Sequence, residues 1–490
     1  MTKQTKSAPK KDKKTLLITI AVIVIAAIVI GLAIYARLDL SGSLLRSKTA
    51  MESPNFKVDG AMMAYFYGNQ YQSYYPYLSY YGVDTKASLK TQTYSDGTTW
   101  FDFFLSTAKS SVTEILALCE GAKAAGITLD DADYASIEDN LKGIEATADG
   151  YGYTAEAYLS AMTGNTLRIK DVKKCLELST LALKYRDSYL DSLSYTDEKL
   201  DEYFANNADT LNGVDYLSYT FSSSSFTTYG DNENPTSTAA EDSALAEETA
   251  NKLKAASTAD AFKSTLSEIL TGTLEADEET VNTALDGLSH EHASKSSLAS
   301  LNADLSEWAF GGASAGESYV VGKTGDTSFT VYLLTRAPYA DDTQTRNVRH
   351  ILFRNTENDG QYEDDAKAKE IYAEWEAAGF SEAKFLELVP LWSEDTGSVS
   401  NGGLYENVAP GRMVEEFNDW LFDDSRKPGD HDIVETTYGW HIMYYVGEGE
   451  YNAWQTAAIS ALQQEDYTAM VEEKSALVTA HDKVMNSING

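Results

Sequence analysis

The sequence predicts an α+β architecture with one membrane-spanning helix, then an α-helical domain, then two related strand-and-helix modules in tandem. Three observations carry this reading. A Lys-rich start precedes one long apolar run, apolar residues recur at helical spacing through 52–208, and one set of landmarks occurs twice between 212 and 449. At 490 residues, 43% hydrophobic and 23% charged, the chain can bury several cores and has ordinary globular composition. Only one apolar run is long, which excludes a polytopic membrane protein. A net charge of −36 excludes a binder of phosphate backbones, so no nucleic-acid partner is expected. Two cysteines exclude a disulfide scaffold and any CxxC metal pair.

The N-terminus sets the expected compartment. Lys3, Lys6, Lys10, Lys11, Lys13 and Lys14 fill a tail over 1–15, and residues 16–36 are almost wholly Leu, Ile, Val and Ala. At about 1.5 Å per residue, such a run spans roughly 30 Å, one bilayer core. It is longer than a signal-peptide core, and Ile34-Tyr35-Ala36 is a poor cleavage site. The lysines predict a cytoplasmic N-terminus and a single-pass protein of the cell membrane, with its bulk extracytoplasmic. Beyond Arg37 the chain has 32 basic and 74 acidic residues, a net of −42. Such an acidic body resists aggregation and repels anionic surfaces.

Residues 52–208 are read as one mostly helical domain. Tyrosines from Tyr65 to Tyr81 crowd its start, and Trp100, Phe104, Ala108, Val112, Ile115 and Cys119 follow at helical spacing. Further helices are expected near 154–163, 167–192 and 197–208, the last opened by Thr196 as N-cap. Cys119 and Cys175 lie on apolar helix faces and read as small buried hydrophobes, although a disulfide between them stays open. The Ser/Thr-rich stretch 222–245 reads as a loop insertion, 338–346 as a linker, and 451–490 as a helical tail packing back on the 52–208 domain.

The repeat defines modules over 212–337 and 345–449. Glu307-Trp308-Ala309-Phe310 matches Asp419-Trp420-Leu421-Phe422, Tyr319-Val320-Val321 matches Asp432-Ile433-Val434, and 329–333 matches 442–446. Upstream, 216–221 matches 348–353. In the second module, Val348, His350 and Leu352 share one strand face, and His441, Met443 and Tyr445 share another. Between them lie Trp392-Ser393-Glu394-Asp395, Asn401-Gly402-Gly403-Leu404-Tyr405, Gly411-Arg412-Met413 and Phe417. Adjacent strands would bring His350 and His441 together near Asp395.

This ordered set resembles the parvulin (PpiC-type) peptidyl-prolyl isomerases, and the whole chain resembles membrane-anchored exported foldases of the SurA and PrsA type. The resemblance implies four-stranded antiparallel sheets wrapped by helices, a helical chaperone domain, and no cofactor or metal. It assigns His350, Asp395 and His441 as catalytic, with Leu404, Met413, Phe417 and Tyr438 binding the prolyl ring. The implied partners are unfolded or partly folded exported proteins, recognised at Xaa-Pro segments. Ser218 and Ser328 stand in the first module where the histidines stand in the second, so that module resembles the fold without the site. The alternative is a non-enzymatic holdase using both modules as peptide-binding surfaces.

The chemistry makes the same demand. The peptide C–N barrier is about 18–20 kcal/mol and arises from resonance, which twisting abolishes. Such a site needs no nucleophile. It needs a dry prolyl pocket and polar groups that fit the twisted bond better than the planar one. Three other motifs fail. Gly312-Ala313-Ser314-Ala315-Gly316 lacks a strand-turn-helix setting, His290-Glu291-His292 lacks zinc-protease spacing, and Asp277-Glu278-Glu279 reads as a solvated face.

Overall fold

The computed structural model describes residues 42–230, 234–358 and 360–489. The apolar run 16–36 lies outside the described residues. Among those described, no helix is long and apolar enough to cross a membrane. Two compact units form: residues 42–194 with 463–489, and Tyr195–Leu462.

The first unit opens with an antiparallel pair, β1 (Thr49–Glu52) and β2 (Lys57–Asp59). Asp59 then caps α1 (Gly60–Leu78), accepting hydrogen bonds from the Ala61 and Met62 N–H groups. A reciprocal Thr99–Asp102 capping box starts α2 (Trp100–Ala125), and Gly126, at φ 73°, ends it. There follow α3 (Asp131–Gly150), α4 (Ala155–Thr163) and α5 (Ile169–Ser192). The core packs Met63 and Tyr67 of α1 against Phe104 and Leu116 of α2 and Val172 of α5. The sequence reading missed α3, because only Ile137, Leu141 and Ala148 of its twenty residues are buried and its apolar stripe is thin. Cys119 and Cys175 are buried free thiols in separate clusters, not a disulfide. Burial pushes Cys119 up to about 12 and Cys175 well above its usual value.

The second unit begins with α6 (Asp197–Leu211) and holds two sheets. The first module comprises β3 (Gly213–Ser222), α7 (Ala239–Lys254), α8 (Ala259–Gly272), α9 (Glu278–Asp286), β4 (Ser289–Ser294), α10 (Lys295–Leu301), α11 (Ala303–Phe310), β5 (Ser318–Val321) and β6 (Ser328–Tyr339). The second comprises β7 (Gln344–Arg354), α12 (Ala366–Ala377), α13 (Glu382–Trp392), β8 (Leu404–Val408), α14 (Glu415–Phe422), β9 (His431–Thr436) and β10 (Gly439–Asn452). Their antiparallel sheets run β4-β3-β6-β5 and β8-β7-β10-β9, one order used twice. Each sheet buries both faces. Leu217, Phe221, Phe329 and Val331 meet α7 and α8, while Val214, Tyr216, Tyr332 and Leu334 meet α11. Ile351, Phe353 and Ile442 meet Trp375 and Phe385, while Val348, Met443 and Tyr445 meet Phe417 and Leu421 of α14.

Four boundaries differ from the sequence reading. The helical domain, read as 52–208, ends at Ser194, and α6 belongs to the second unit. Residues 239–245 are helical, because the Thr238–Glu241 capping box starts α7 inside the supposed loop 222–245. The supposed linker 338–346 is mostly strand, leaving only Ala340–Thr343 between β6 and β7. The tail is not wholly helical. After α15 (Ala453–Ser475) comes β11 (Thr479–Ala480), which pairs with β1 and completes the sheet β11-β1-β2. Trp454, Ala458 and Leu462, at the start of α15, pack with Leu200 and Leu211 of α6.

Candidate active site

Strand alternation on β7 turns His350 toward α14, and the same parity on β10 turns His441 to that face. His350 pairs in register with Met443, and His441 with Leu352, so the two imidazoles are diagonal neighbours. The loop after α13 carries Asp395 and Ser398 and returns through Gly402 and Gly403, at φ 65° and 72°. Glycine is required at 403. The His350 N–H donates to the Gly403 carbonyl at 2.8 Å, and a Cβ on Gly403 would lie 2.4 Å from the His350 carbonyl oxygen.

A continuous hydrogen-bonded chain results. His350 Nδ1 lies 3.0 Å from His441 Nδ1, and His350 Nε2 lies 2.9 Å from Asp395 Oδ2. Thr436 Oγ1 lies 3.0 Å from His441 Nε2. Ser398 and Tyr405 both donate hydroxyls to Asp395 Oδ2, the tyrosine at 2.9 Å. The contacts run unbroken from the Thr436 hydroxyl through His441 and His350 to the Asp395 carboxylate, with Ser398 Oγ also 3.2 Å from His350 Nε2. The His350 hydrogen bond first, then those from Ser398 and Tyr405, hold the Asp395 carboxyl well below its usual range despite partial burial. Burial, then the adjacent His350, pushes His441 down to about 3. Burial and the Asp395 charge push Tyr405 up to about 12.

Phe417, only 2% exposed, stands edge-on to both imidazoles, its ring centroid 5.6 Å from His350 and 5.4 Å from His441. Met413 is half-buried against the same cluster. Tyr438 sits in the β9–β10 turn and is 47% exposed. Leu404 does not join this group. It pairs with Arg349, so alternation sends it to the opposite face of the sheet. Tyr405, the next residue, faces the site instead and stacks on His350 at 5.1 Å. Tyr405, Ser398 and Thr436 were missed by the sequence reading. Strand parity one step beyond Leu404 was the available signal for the tyrosine; for the two hydroxyls there was none, since they meet the site through a loop and a hairpin. Among the described residues, no cluster of three His, Cys, Asp or Glu could hold a metal ion.

The first module differs at these positions. Val321 pairs with Thr330 where Val434 pairs with His441, so Thr330, not Ser328, is the equivalent of His441. The β5–β6 hairpin is two residues longer than β9–β10, which slid the gap-free sequence match. Ser218 remains the counterpart of His350. His290, which pairs with Tyr216 as Tyr405 pairs with Val348, takes the tyrosine's place and meets Ser218 Oγ at 3.1 Å.

Sheet order, helix cover and the diagonal histidine pair define the class of the second module, a parvulin-type domain. Residues 332–447 match the PPIC-type PPIase domain, and this segment belongs to that family. The match begins inside β6 and ends inside β10. Foldase protein PrsA 1 of Listeria monocytogenes is 34% identical over 103 residues, covering 21% of this chain and 31% of its own. Chaperone SurA of Pseudomonas syringae is 31% identical over 129 residues, covering 25% of this chain and 28% of its own. The chain thus spans less than a third of the length of these relatives. The crystal structure of PrsA from Bacillus subtilis aligns over 82% of this chain and 93% of its own at 15% identity, with a TM-score of 0.28, too low for a shared whole-chain fold to follow.

Proposed function

We propose that the chain is a membrane-anchored, extracytoplasmic peptidyl-prolyl isomerase and chaperone that assists the folding of exported proteins. The observation that carries the reading is the buried Thr436–His441–His350–Asp395 chain beneath Phe417, inside the segment that matches the PPIC-type PPIase domain. The prolyl ring enters beside Met413 and Phe417, with Tyr438 at the rim. Phe417 and the imidazoles exclude water, which strengthens each polar contact to the twisting bond. Asp395, Ser398 and Tyr405 hold His350, and Thr436 holds His441, so the pair forms a fixed floor for the pocket. Both histidines are positioning groups, and no proton leaves the substrate.

The relatives' names, foldase and chaperone, support protein clients, and the prolyl pocket described above is what motivates Xaa-Pro segments as the part engaged. The anchor rests on residues 1–36 alone. The alternative, a holdase without catalysis, is favoured for the first module, whose counterpart positions are Ser218 and Thr330. The full chain in detergent should accelerate isomerisation of short Xaa-Pro peptides, and absence of acceleration by folded protein selects the holdase. Protease added to intact protoplasts should degrade everything beyond about Leu38; a soluble product starting near Arg37 overturns the anchor.

A further inference from the structure

The helical unit carries an exposed aromatic surface that the isomerase site does not use. Tyr74, Tyr75, Tyr77, Tyr80, Tyr81 and Tyr94 are between 38% and 88% exposed. Three of them are anchored: Tyr94 stacks on Phe103 at 4.4 Å and meets Trp100 at 4.7 Å, Tyr74 meets Phe103 at 5.4 Å, and Tyr81 meets Trp100 at 5.8 Å. These rings have little conformational freedom left to lose, and Tyr75 and Tyr80 extend the surface from Tyr71 and Tyr81. None of their hydroxyls makes a hydrogen bond among the described residues. From Gly60 to Val83 the chain has no charged residue, within a protein of net charge −36.

We propose that this surface docks proline-bearing, uncharged segments of unfolded chains in extended conformation. Rigid aromatic rings with free hydroxyl donors are what a polyproline-type strand requires. Its prolyl rings lie on aromatic faces, and its carbonyls, unpaired within the strand, accept from the phenols. The acidic charge elsewhere disfavours acidic segments. Tyr75 also lies two turns beyond Gly68 on α1, and Gly68 and Asn69 line a cleft of about 930 Å³ with Asn140, Tyr158 and Met162. An extended segment can thus continue from the tyrosines along one helix face. A bilayer is the weaker occupant, since Gly60–Val83 offers no Lys or Arg to meet anionic headgroups.

This docking surface rests on the client-binding reading above but not on catalysis. The test compares the full chain with its Tyr75→Ser/Tyr77→Ser/Tyr80→Ser variant in detergent. The probe is a fluorescent, uncharged 15-residue peptide of Pro, Leu, Ser and Gly, followed by anisotropy. The variant should bind it at least tenfold more weakly, with unchanged melting temperature and unchanged isomerisation of an Xaa-Pro tetrapeptide. Equal peptide affinity overturns the proposal. So does tyrosine-dependent binding to phosphatidylglycerol vesicles without peptide binding, or a dimer that the substitutions dissociate. Tyrosine-dependent peptide binding in a protein that never isomerises the tetrapeptide supports the docking surface and removes the isomerase reading instead.

Discussion

The two modules of the second unit use one sheet order and one placement of helix cover, yet they differ in what fills a few equivalent positions. In the second module, His350 and His441 are buried, stacked at 5.2 Å and tied to Asp395 and Thr436. In the first, Thr330 meets Thr220 at 2.9 Å, and Ser218 meets His290, all near solvent. The apolar alternation that makes the sheets is intact in both, so the fold does not depend on the histidines. The site does. A hydroxyl reaches about one bond from its Cβ and cannot span the gap that two imidazoles fill.

The sharpest break of this comparison exchanges equivalent core residues. Phe417→Ala should lower kcat/KM for Xaa-Pro peptides by a hundredfold or more, by wetting the site, and cost roughly 3–5 kcal/mol of stability. Leu305→Ala, at the counterpart position in α11, should cost roughly 2–5 kcal/mol and leave kcat/KM unchanged. Both are read on folded full chain, with unfolding followed separately. Full activity in Phe417→Ala removes the proposed pocket.

The next effect is in pH. His441 is held neutral, at about 3 against an ordinary 6.5, so between these values the unfolded state binds a proton that the native state refuses. Stability of the second module is therefore full above 6.5 and falls as pH drops toward 3, by up to about 1.4 kcal/mol per pH unit. Asp395, also depressed, acts in the same sense below its ordinary 3.8. Hydrogen-exchange protection of β10 should fall more than that of β6 between pH 7 and pH 4.5, after correction for intrinsic exchange. Equal losses in both strands would show that the network does not titrate as described.

The smallest effect expected is none. Ser218→His with Thr330→His, placed in a Phe417→Ala background, should restore no isomerase activity, because no carboxylate counterpart to Asp395 meets Ser218 among the described residues. Recovery to a tenth of the wild-type rate would show that a histidine pair suffices without its acid.

Much of this was legible in one dimension because alternation and helical spacing are local. The strand face of Val348, His350 and Leu352 and the helix face of Trp100, Phe104, Ala108, Val112 and Cys119 are buried as period two and period 3.6 predict. The same periodicity put His350 and His441 on faces that meet once β7 and β10 pair. It failed where spacing carries no information. The two extra residues of the β5–β6 hairpin moved the counterpart of His441 from Ser328 to Thr330. Leu404 was assigned to the pocket by motif, and strand register sent it to the other face.

Elements with a strong apolar stripe were readable because each depends on contacts within a few residues, whereas α3, whose stripe is thin, was not. The side chains that complete the site depend on tertiary contacts instead. Ser398 and Tyr405 reach Asp395 through a loop and a strand edge, and Thr436 reaches His441 across a hairpin. Tail strand β11 pairs with β1 at the far end of the sequence. These contacts are fixed by register and chain return rather than periodicity, and a pattern read along one strand contains neither.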